Sequence, residues 1–291
     1  MAKVTEKLKA AAGEVTIICD FSPPRGADTA SLEAAKDLAA DLICVAYSPG
    51  KSVRLDSATT AYWIKEHAQR DVVFNLATRD MNRLALQSHL LGAQLLGLEN
   101  VIVIMGDPLN ERDRTVFKDA ADYTATGLIK GIANMNDGVD FRGLKLRTPT
   151  RFCIGASIDL SKGMEKEAVL AREKVKAGAQ FFITQPIYDP EEARQFEQTF
   201  LRLTGEPLSE PVFYGLQVLV KDGIIFGNVP EGLRRDLEQG REGSDIATRL
   251  LKEFTNSGLK AIYLVPPILK GGARDYEAAQ RVVRASKEKS S

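Results

Sequence analysis

The feature that most constrains the fold is an alternation of short apolar segments and helical segments that repeats along the chain. Eight apolar segments begin near residues 15, 42, 72, 101, 152, 181, 212 and 262, and each is followed by a segment with helical spacing. Five of the seven intervals between them are about 30 residues long, the length of one strand–helix unit. The repeat therefore predicts parallel strands that are buried on both faces, each followed by a helix.

Eight such units in 291 residues match one TIM barrel, a (β/α)8 fold in a single domain over residues 1–291. A short helix over residues 2–12 is predicted to precede the barrel, and the polar tail 287–291 is predicted to fray. The two long intervals place insertions after strands four and seven, at Pro108–Thr150 and Val220–Lys260. A doubly wound open sheet is the alternative fold. The absence of G-x-G-x-x-G after the first strand argues against its dinucleotide-binding version.

Two of the helix predictions concern the segments after the first and fourth strands. The alanine-rich segment Ser31–Ala40 is expected to form the helix after the first strand, and a helix is expected over about Ala120–Met135 in the first insertion.

Charge and cysteine usage narrow the classes of partner and compartment. The 39 basic residues balance the 39 acidic ones, so no nucleic-acid partner is indicated. No apolar stretch approaches the roughly 18 residues of a membrane helix, and no signal-peptide pattern is present, so we expect a cytoplasmic protein without a membrane partner. Cys19, Cys44 and Cys153 fall in predicted strands without zinc-site spacing, which favours plain packing in a reducing compartment.

The clearest strand end lies in Asn100–Pro108, which reads NVIVIMGDP. Gly106 permits close approach of the backbone to a ligand, and Pro108 stops strand pairing. Asp107 between them is either a turn cap or a catalytic carboxylate, since barrel enzymes keep their chemistry at the C-terminal ends of the strands. The residues that the predicted strands bring to this end are Asp20, Tyr47, Asn75, Thr78, Asp107, Ser157, Asp159, Gln185, Gln217 and Pro266.

This set favours carboxylate acid–base chemistry. The two histidines, His67 and His89, lie within predicted helices, so neither a serine–histidine nor a cysteine–histidine pair is expected. A metal site is not predicted either, because carboxylates alone would have to supply it. Asp20 and Asp107 are the candidate acids or bases, and Gln185 offers a donor and an acceptor to a planar heterocycle.

Three segments together resemble the methylenetetrahydrofolate reductase family. They are CDFSPPR at Cys19–Arg25, VIVIMGDP at Val101–Pro108 and KVKAGAQFFITQPIYD at Lys174–Asp189. The similarity extends to the VPP motif of the eighth strand, and Thr78–Gly97 resembles most closely the reductase-like domains fused to homocysteine methyltransferases. The resemblance implies a (β/α)8 barrel that holds FAD. The flavin would pass a hydride from NAD(P)H to 5,10-methylenetetrahydrofolate.

The resemblance also implies roles for individual residues. Asp20 stands in the place of the family's catalytic glutamate, the proton donor that opens the bridged folate to an iminium. Asp107 would contact the pterin near the flavin, and Gln185 would bind the pterin through hydrogen bonds. Gln217 and Lys270 are assigned to folate binding, Lys270 as a substitute for the family's arginine that meets the folate tail after the eighth strand and is absent here.

The flavin side departs from the family pattern. Ala46, Asn75 and Met105 stand where well-known flavoenzymes have Thr, His and Arg, and Ser157 replaces a tyrosine. Asp20 is also one methylene shorter than glutamate, and a shift of about 1 Å can cost on the order of 100-fold in rate. The positions implied to contact the cofactor are Asn75, Met105, Gly106, Asp107, Ser157, Arg172 and Lys174.

Three functions therefore stay open from the sequence. The first is a methylenetetrahydrofolate reductase that transfers hydride either through FAD or directly from NAD(P)H. The second is methyl transfer to or from tetrahydrofolate without redox change. The third is a folate-binding subunit that needs a redox partner. A homo-oligomer is compatible with each of them.

Overall fold

The computed structural model describes residues 1–118, 120 and 122–287, and it confirms the barrel. Eight parallel strands pair in sequence order and close on themselves, so the open-sheet alternative is excluded. The predicted frayed tail beyond Lys287 lies outside the described residues. The strands are Thr16–Phe21 (β1), Leu42–Val45 (β2), Val72–Ala77 (β3), Asn100–Ile104 (β4), Cys153–Ile158 (β5), Phe181–Pro186 (β6), Val212–Gln217 (β7) and Ala261–Val265 (β8).

Helices surround the barrel, and both insertions carry an additional one. None of the helices in the part of the chain that the structure describes is long and apolar enough to cross a membrane. The helices are Val4–Ala10 (α1), Ala34–Asp37 (α2), Ser57–Ala68 (α3), Arg83–Leu95 (α4), Glu111–Val116 (α5), Ala125–Asn136 (α6), Met164–Ala177 (α7), Pro190–Thr204 (α8), Glu231–Glu238 (α9), Gly243–Asn256 (α10) and Tyr276–Lys287 (α11).

The strands separate two apolar layers, which explains their continuous apolar sequences. One layer fills the space between strands and helices, and a smaller one fills the barrel interior. All three cysteines are buried, as predicted. The interior layer contains Ile18, Leu42, Cys44, Val73, Ile102, Cys153, Phe181, Phe213 and Tyr263.

The segment 31–40 does not form the predicted helix. It contains one 3-10 turn at Ala30–Leu32 and the single-turn helix α2. The chain becomes extended at Leu38, and the Ala39 N–H donates to Oε1 of Gln280 on α11 at 2.8 Å. A tertiary hydrogen bond thus ends the helix and directs the chain into β2, overriding the helical propensity of the alanines.

The other predicted helices differ mainly at their ends. The first helix covers Val4–Ala10 rather than residues 2–12, and the helix of the first insertion starts at Ala125 rather than Ala120. Thr124 caps the latter, because its side chain accepts from the Gly127 N–H. A cap residue fixes where a helix can begin, and here it lies after the predicted start.

Gly155 on β5 makes room inside the barrel. A methyl group built at this position would overlap the ring of Phe181 and lie 2.8 Å from Cγ1 of Ile102. Interiors are packed as densely as organic crystals, so neither neighbour has free space to move into. The large side chain of Phe181 on β6 therefore packs beside Gly155 on β5, which has no side chain.

We predict that Gly155→Ala lowers the free energy of unfolding by about 1–3 kcal/mol, because it overpacks the barrel interior. The matched control is Gly92→Ala in the exposed middle of α4, where a methyl group meets nothing within 4 Å. This control should gain about 0.5–1 kcal/mol, since alanine is the better helix former. Denaturant unfolding of both variants is the measurement, and equal effects would contradict the assigned packing.

Candidate functional site at the barrel mouth

Asp20 lies at the C-terminal end of β1 and is 5% exposed. The Tyr263 hydroxyl on β8 donates to its Oδ1 at 2.9 Å, and Nε of Arg274 lies 3.5 Å from its Oδ2. The closed barrel brings these groups together, because β1 pairs with β8 in a register that places Ile18 beside Tyr263. Burial and the adjacent carboxylate raise the pKa of Tyr263 well above its usual value, so its hydroxyl remains a donor.

Two more arginines lie near this pair. Nη1 of Arg54, in the loop after β2, donates to the Pro23 carbonyl at 2.9 Å. Burial lowers the pKa of Arg54, and the neighbouring cations Arg274 and Arg25 lower it further. Arg54 thus lies near both Arg274 and Arg25, and Arg274 contacts Asp20, which makes this side of the mouth attractive to anions.

A hydrogen bond from Arg79 fixes the loop after β4. This arginine is 7% exposed, binds both oxygens of Asp80 and donates to the backbone carbonyl of Asp107 at 2.9 Å. Gly106 has a φ of 86°, and a side chain there would press on Arg79. The Asp107 backbone is therefore fixed, while the residue is exposed.

Asn75 lies within the barrel rather than at its rim. It is 6% exposed on β3, and its Oδ1 accepts from the Cys44 thiol at 3.4 Å. The Ser57 hydroxyl donates to the Asn75 backbone carbonyl at 2.7 Å. Burial raises the pKa of Cys44 well above its usual value, so this thiol is not an activated nucleophile.

The two glutamines at the strand ends have different surroundings. Gln185 is exposed at the end of β6, beside a register shift between Ile183 and Pro186. Gln217 is 1% exposed, and its amide accepts from the Phe226 N–H and donates to the Ile224 carbonyl, both at 2.8 Å. Gln185 is thus available to a ligand, whereas Gln217 orders the loop after β7.

The positions implied to hold FAD do not assemble a site that fits it in the described part of the chain. Met105 is an apolar side chain that is 67% exposed, and Arg172 is exposed on α7. Lys174 is buried, but its ammonium donates to the Ser157 carbonyl, and burial lowers its pKa. One amine bound to a backbone carbonyl is a poor match to the charge of a flavin diphosphate.

Sequence reasoning missed two residues of this site. Arg274 lies in the loop after β8 and contacts Asp20, although sequence reasoning did not name it. Lys270, taken as a substitute for the family's arginine after the eighth strand, is exposed. Arg274 immediately precedes the Asp275 cap of α11, which was the available signal. Tyr263 could have been found from the closure of a barrel, which makes strands one and eight neighbours.

The fold and the mouth define a (β/α)8 barrel with a buried carboxylate beside a tyrosine and an arginine at the C-terminal ends of its strands. A family model for methylenetetrahydrofolate reductase matches residues 4–216, and the chain belongs to that family. A solved structure described as an uncharacterised protein from Clostridium thermocellum that binds two copies of 5-methyl-5,6,7,8-tetrahydrofolic acid shares the fold. The match has a TM-score of 0.65 and 14% sequence identity, and covers 96% of this chain and 97% of that chain.

We predict that Arg274→Ala lowers the free energy of unfolding by about 3 kcal/mol, because it leaves a buried carboxylate without its cation. The double variant Asp20→Asn with Arg274→Ala should lose less than the sum of the two single variants. Arg202→Ala, which breaks an exposed pair with Glu165, is the control and should change stability by less than about 1 kcal/mol. Additive effects at Asp20 and Arg274 in denaturant unfolding would contradict the pairing.

Proposed function

We propose that the protein reduces 5,10-methylenetetrahydrofolate to 5-methyltetrahydrofolate with NAD(P)H as the hydride donor. The observation that carries the proposal is the buried Asp20 carboxylate between Tyr263 and Arg274, at the position of the family's catalytic acid. Membership of the methylenetetrahydrofolate reductase family supports the substrate class. The folate-binding description of the structurally similar protein agrees with it.

The reaction needs one proton and one hydride. A proton on the bridging nitrogen breaks its bond to the methylene carbon and leaves a cationic iminium, which then accepts the hydride while NAD(P)H becomes NAD(P)⁺. Asp20 is the residue proposed to deliver the proton, and its carboxylate then faces the cation that forms. Tyr263 holds Oδ1 in place, and Oδ2, which faces Arg274, is the oxygen proposed to carry the proton once the substrate draws Arg274 away.

Arg274 is proposed to bind the folate tail. The tail ends in carboxylates, and a guanidinium can bind a carboxylate through two parallel hydrogen bonds. Nε of Arg274 is buried without a hydrogen bond within the described residues, although it lies near Asp20. A bound tail would compete with Asp20 for this arginine, which links substrate binding to release of the carboxylate for proton transfer.

The pterin is proposed to lie between β4 and β6. Gln185 is exposed at the end of β6 and offers both a donor and an acceptor, while the Asp107 side chain is exposed after β4. Asp107 would bind the donor groups of the ring and stabilise the developing positive charge. Direct transfer from NAD(P)H is the simplest route to the iminium, since the expected flavin contacts are poorly matched.

Methyl transfer without redox change is the second candidate function. It is favoured by the short Asp20 side chain and by its ion pair with Arg274, which differ from a free acid poised to donate. A third arrangement, in which a redox partner supplies the flavin, would show activity only after that partner is added.

The test is oxidation of NADPH or NADH, followed by absorbance, with 5,10-methylenetetrahydrofolate as acceptor. The visible spectrum is recorded first, after incubation with FAD and desalting. We expect folate-dependent oxidation without retained flavin. Retained stoichiometric flavin would restore the two-step route, and no oxidation under either condition would favour methyl transfer.

We predict that Asp20→Asn lowers turnover by at least about 100-fold while folate binding persists, because the amide cannot deliver a proton. Asp28→Asn, at an exposed position in the loop after β1, is the control and should retain full turnover. Steady-state rates and folate titration measure the two effects separately. An unchanged rate would remove Asp20 from the mechanism.

We predict that Gln185→Ala weakens folate binding by about 1–3 kcal/mol, because a buried pterin group loses its partner. Gln198→Ala on the exposed face of α8 is the matched control, and its affinity should equal that of the wild type. Calorimetric titration with 5-methyltetrahydrofolate is the measurement. Equal affinities for the two variants would place the pterin elsewhere.

A further inference from the structure

The helix α4 has an unusual surface for a helix on the outside of a barrel. From Leu84 to Leu98 the chain contains no Asp, Glu, Lys or Arg. The helices α7 and α8, by contrast, place Glu and Arg at several of their exposed positions. A helix that packs on one side and faces water on the other normally carries charged residues on its water face. The outer face of α4 therefore lacks the residues that suit contact with water.

Three leucines lie on this outer face. Leu84, Leu91 and Leu95 are between 42% and 87% exposed, and Ser88, which lies among them, is also exposed. At 3.6 residues per turn, these four positions fall on one narrow strip along the helix. Leu86, which is buried in the core, lies on the opposite side. The four residues form a leucine stripe that points directly away from the barrel.

The exposed apolar surface extends beyond the helix. The Oε1 of Gln87 on α4 accepts from the Phe141 N–H at 2.9 Å, which holds the hairpin of residues 139–145 beside the helix. Leu144 in this hairpin is 57% exposed. Neighbouring exposed apolar side chains of this kind mark surfaces that another protein surface covers.

The spacing along the leucine stripe is complementary to itself. Two copies of α4 can be placed antiparallel around a twofold axis through the middle of the stripe. Leu84 of each copy then lies against Leu95 of the other, and Ser88 lies against Leu91. Each leucine meets either a leucine or the small serine, so the side chains of the two helices can interdigitate. A twofold contact requires this kind of match of one surface with its own copy.

The absence of charge along the stripe favours a second copy over a charged partner. Residues close to a twofold axis meet the same residues of the other copy, so a charged residue there would face a like charge. His89 is the one titratable residue within the stretch from Leu84 to Leu98, and it is turned toward Asp56 on the side of α3, with 3.8 Å between Nε2 and Oδ2. No like charges therefore oppose the antiparallel contact.

The two ends of α4 are complementary in charge. At the N-terminal end, the Arg83 guanidinium donates to the backbone carbonyl of Asp122, a neutral group, while the Asp122 carboxylate accepts from the Arg83 backbone N–H. At the C-terminal end, Lys65 is paired with Glu66, and Glu99 has no ion-pair partner within the ranges that the structure describes. Antiparallel packing brings each guanidinium to the negative end of the other helix, where a cation is favourable.

We propose that the leucine stripe of α4 is a contact between two copies of this chain, packed antiparallel around a twofold axis. The stripe lies on the side of the barrel, so the pairing leaves both mouths open and does not depend on the proposed function. One helix face and one hairpin are a small contact beside the roughly 800 Å² per partner of a standard interface, so the dimer should be reversible and dependent on concentration.

The first test is sedimentation equilibrium of the full chain from low micromolar to several hundred micromolar concentration. The wild type should show a monomer–dimer equilibrium, and Leu91→Glu should raise its dissociation constant at least about tenfold, because two carboxylates would meet near the axis. Val169→Glu on α7 and Leu201→Glu on α8 are the matched controls. Their side chains are 51% and 48% exposed, close to the 42% of Leu91, and both variants should dimerise as the wild type does.

All three substitutions are at exposed positions, and equal melting temperatures would show that folding is retained. A wild type that stays monomeric over the whole concentration range would overturn the proposal, and the stripe would then be left to a different protein. Equal weakening by Leu91→Glu and by the two controls would overturn it as well.

The second test is oxidative cross-linking, which examines the antiparallel register. The double variant Leu84→Cys with Leu95→Cys places its two thiols about 16 Å apart on one helix, too far to bond within a copy. The native cysteines are buried. The double variant should form a covalent dimer, whereas Leu84→Cys alone should not. No cross-linking in the double variant, or equal cross-linking in the single one, would contradict the proposed contact.

Discussion

Closure of the barrel is the constraint on which the site depends. Pairing of the first strand with the last brings Asp20 and Tyr263 within hydrogen-bond distance, although 243 residues separate them in the chain. An open sheet would leave both at its edges, far apart. The carboxylate can be buried only because a hydroxyl donor and the Arg274 guanidinium come with the closing strand and its loop, since an unpaired buried charge would be strongly destabilising.

The fold followed from the sequence because its signal is repeated eight times. An apolar run that is buried on both faces predicts a strand whichever strands it pairs with. The observed strands accordingly start within one residue of the predicted positions. The prediction of a helix over residues 31–40 was wrong for the opposite reason. Its alanines favour a helix locally, but a hydrogen bond from Ala39 to Gln280, at the far end of the chain, decides its conformation.

The site was only partly predictable for a related reason. Asp20 and Gln185 lie at the ends of β1 and β6, and Asp107 lies in the turn after β4, so strand ends alone locate them. Arg274 lies nine residues beyond β8 in a loop whose course is set by bridges from Ile268 to Ile224 and Arg274. Spacing carries no information about such a loop. Likewise, Gln217 looks like a ligand-binding amide from its position, but its hydrogen bonds are satisfied by the loop that follows it.

The two sides of the barrel mouth thus differ in the charged groups that they offer to a ligand. On the β1, β2 and β8 side, Arg274 contacts the Asp20 carboxylate and Arg54 lies near Arg274, which suits an anionic ligand. The β5 side offers Lys174 already bound to a carbonyl, which weakens the case for a resident flavin.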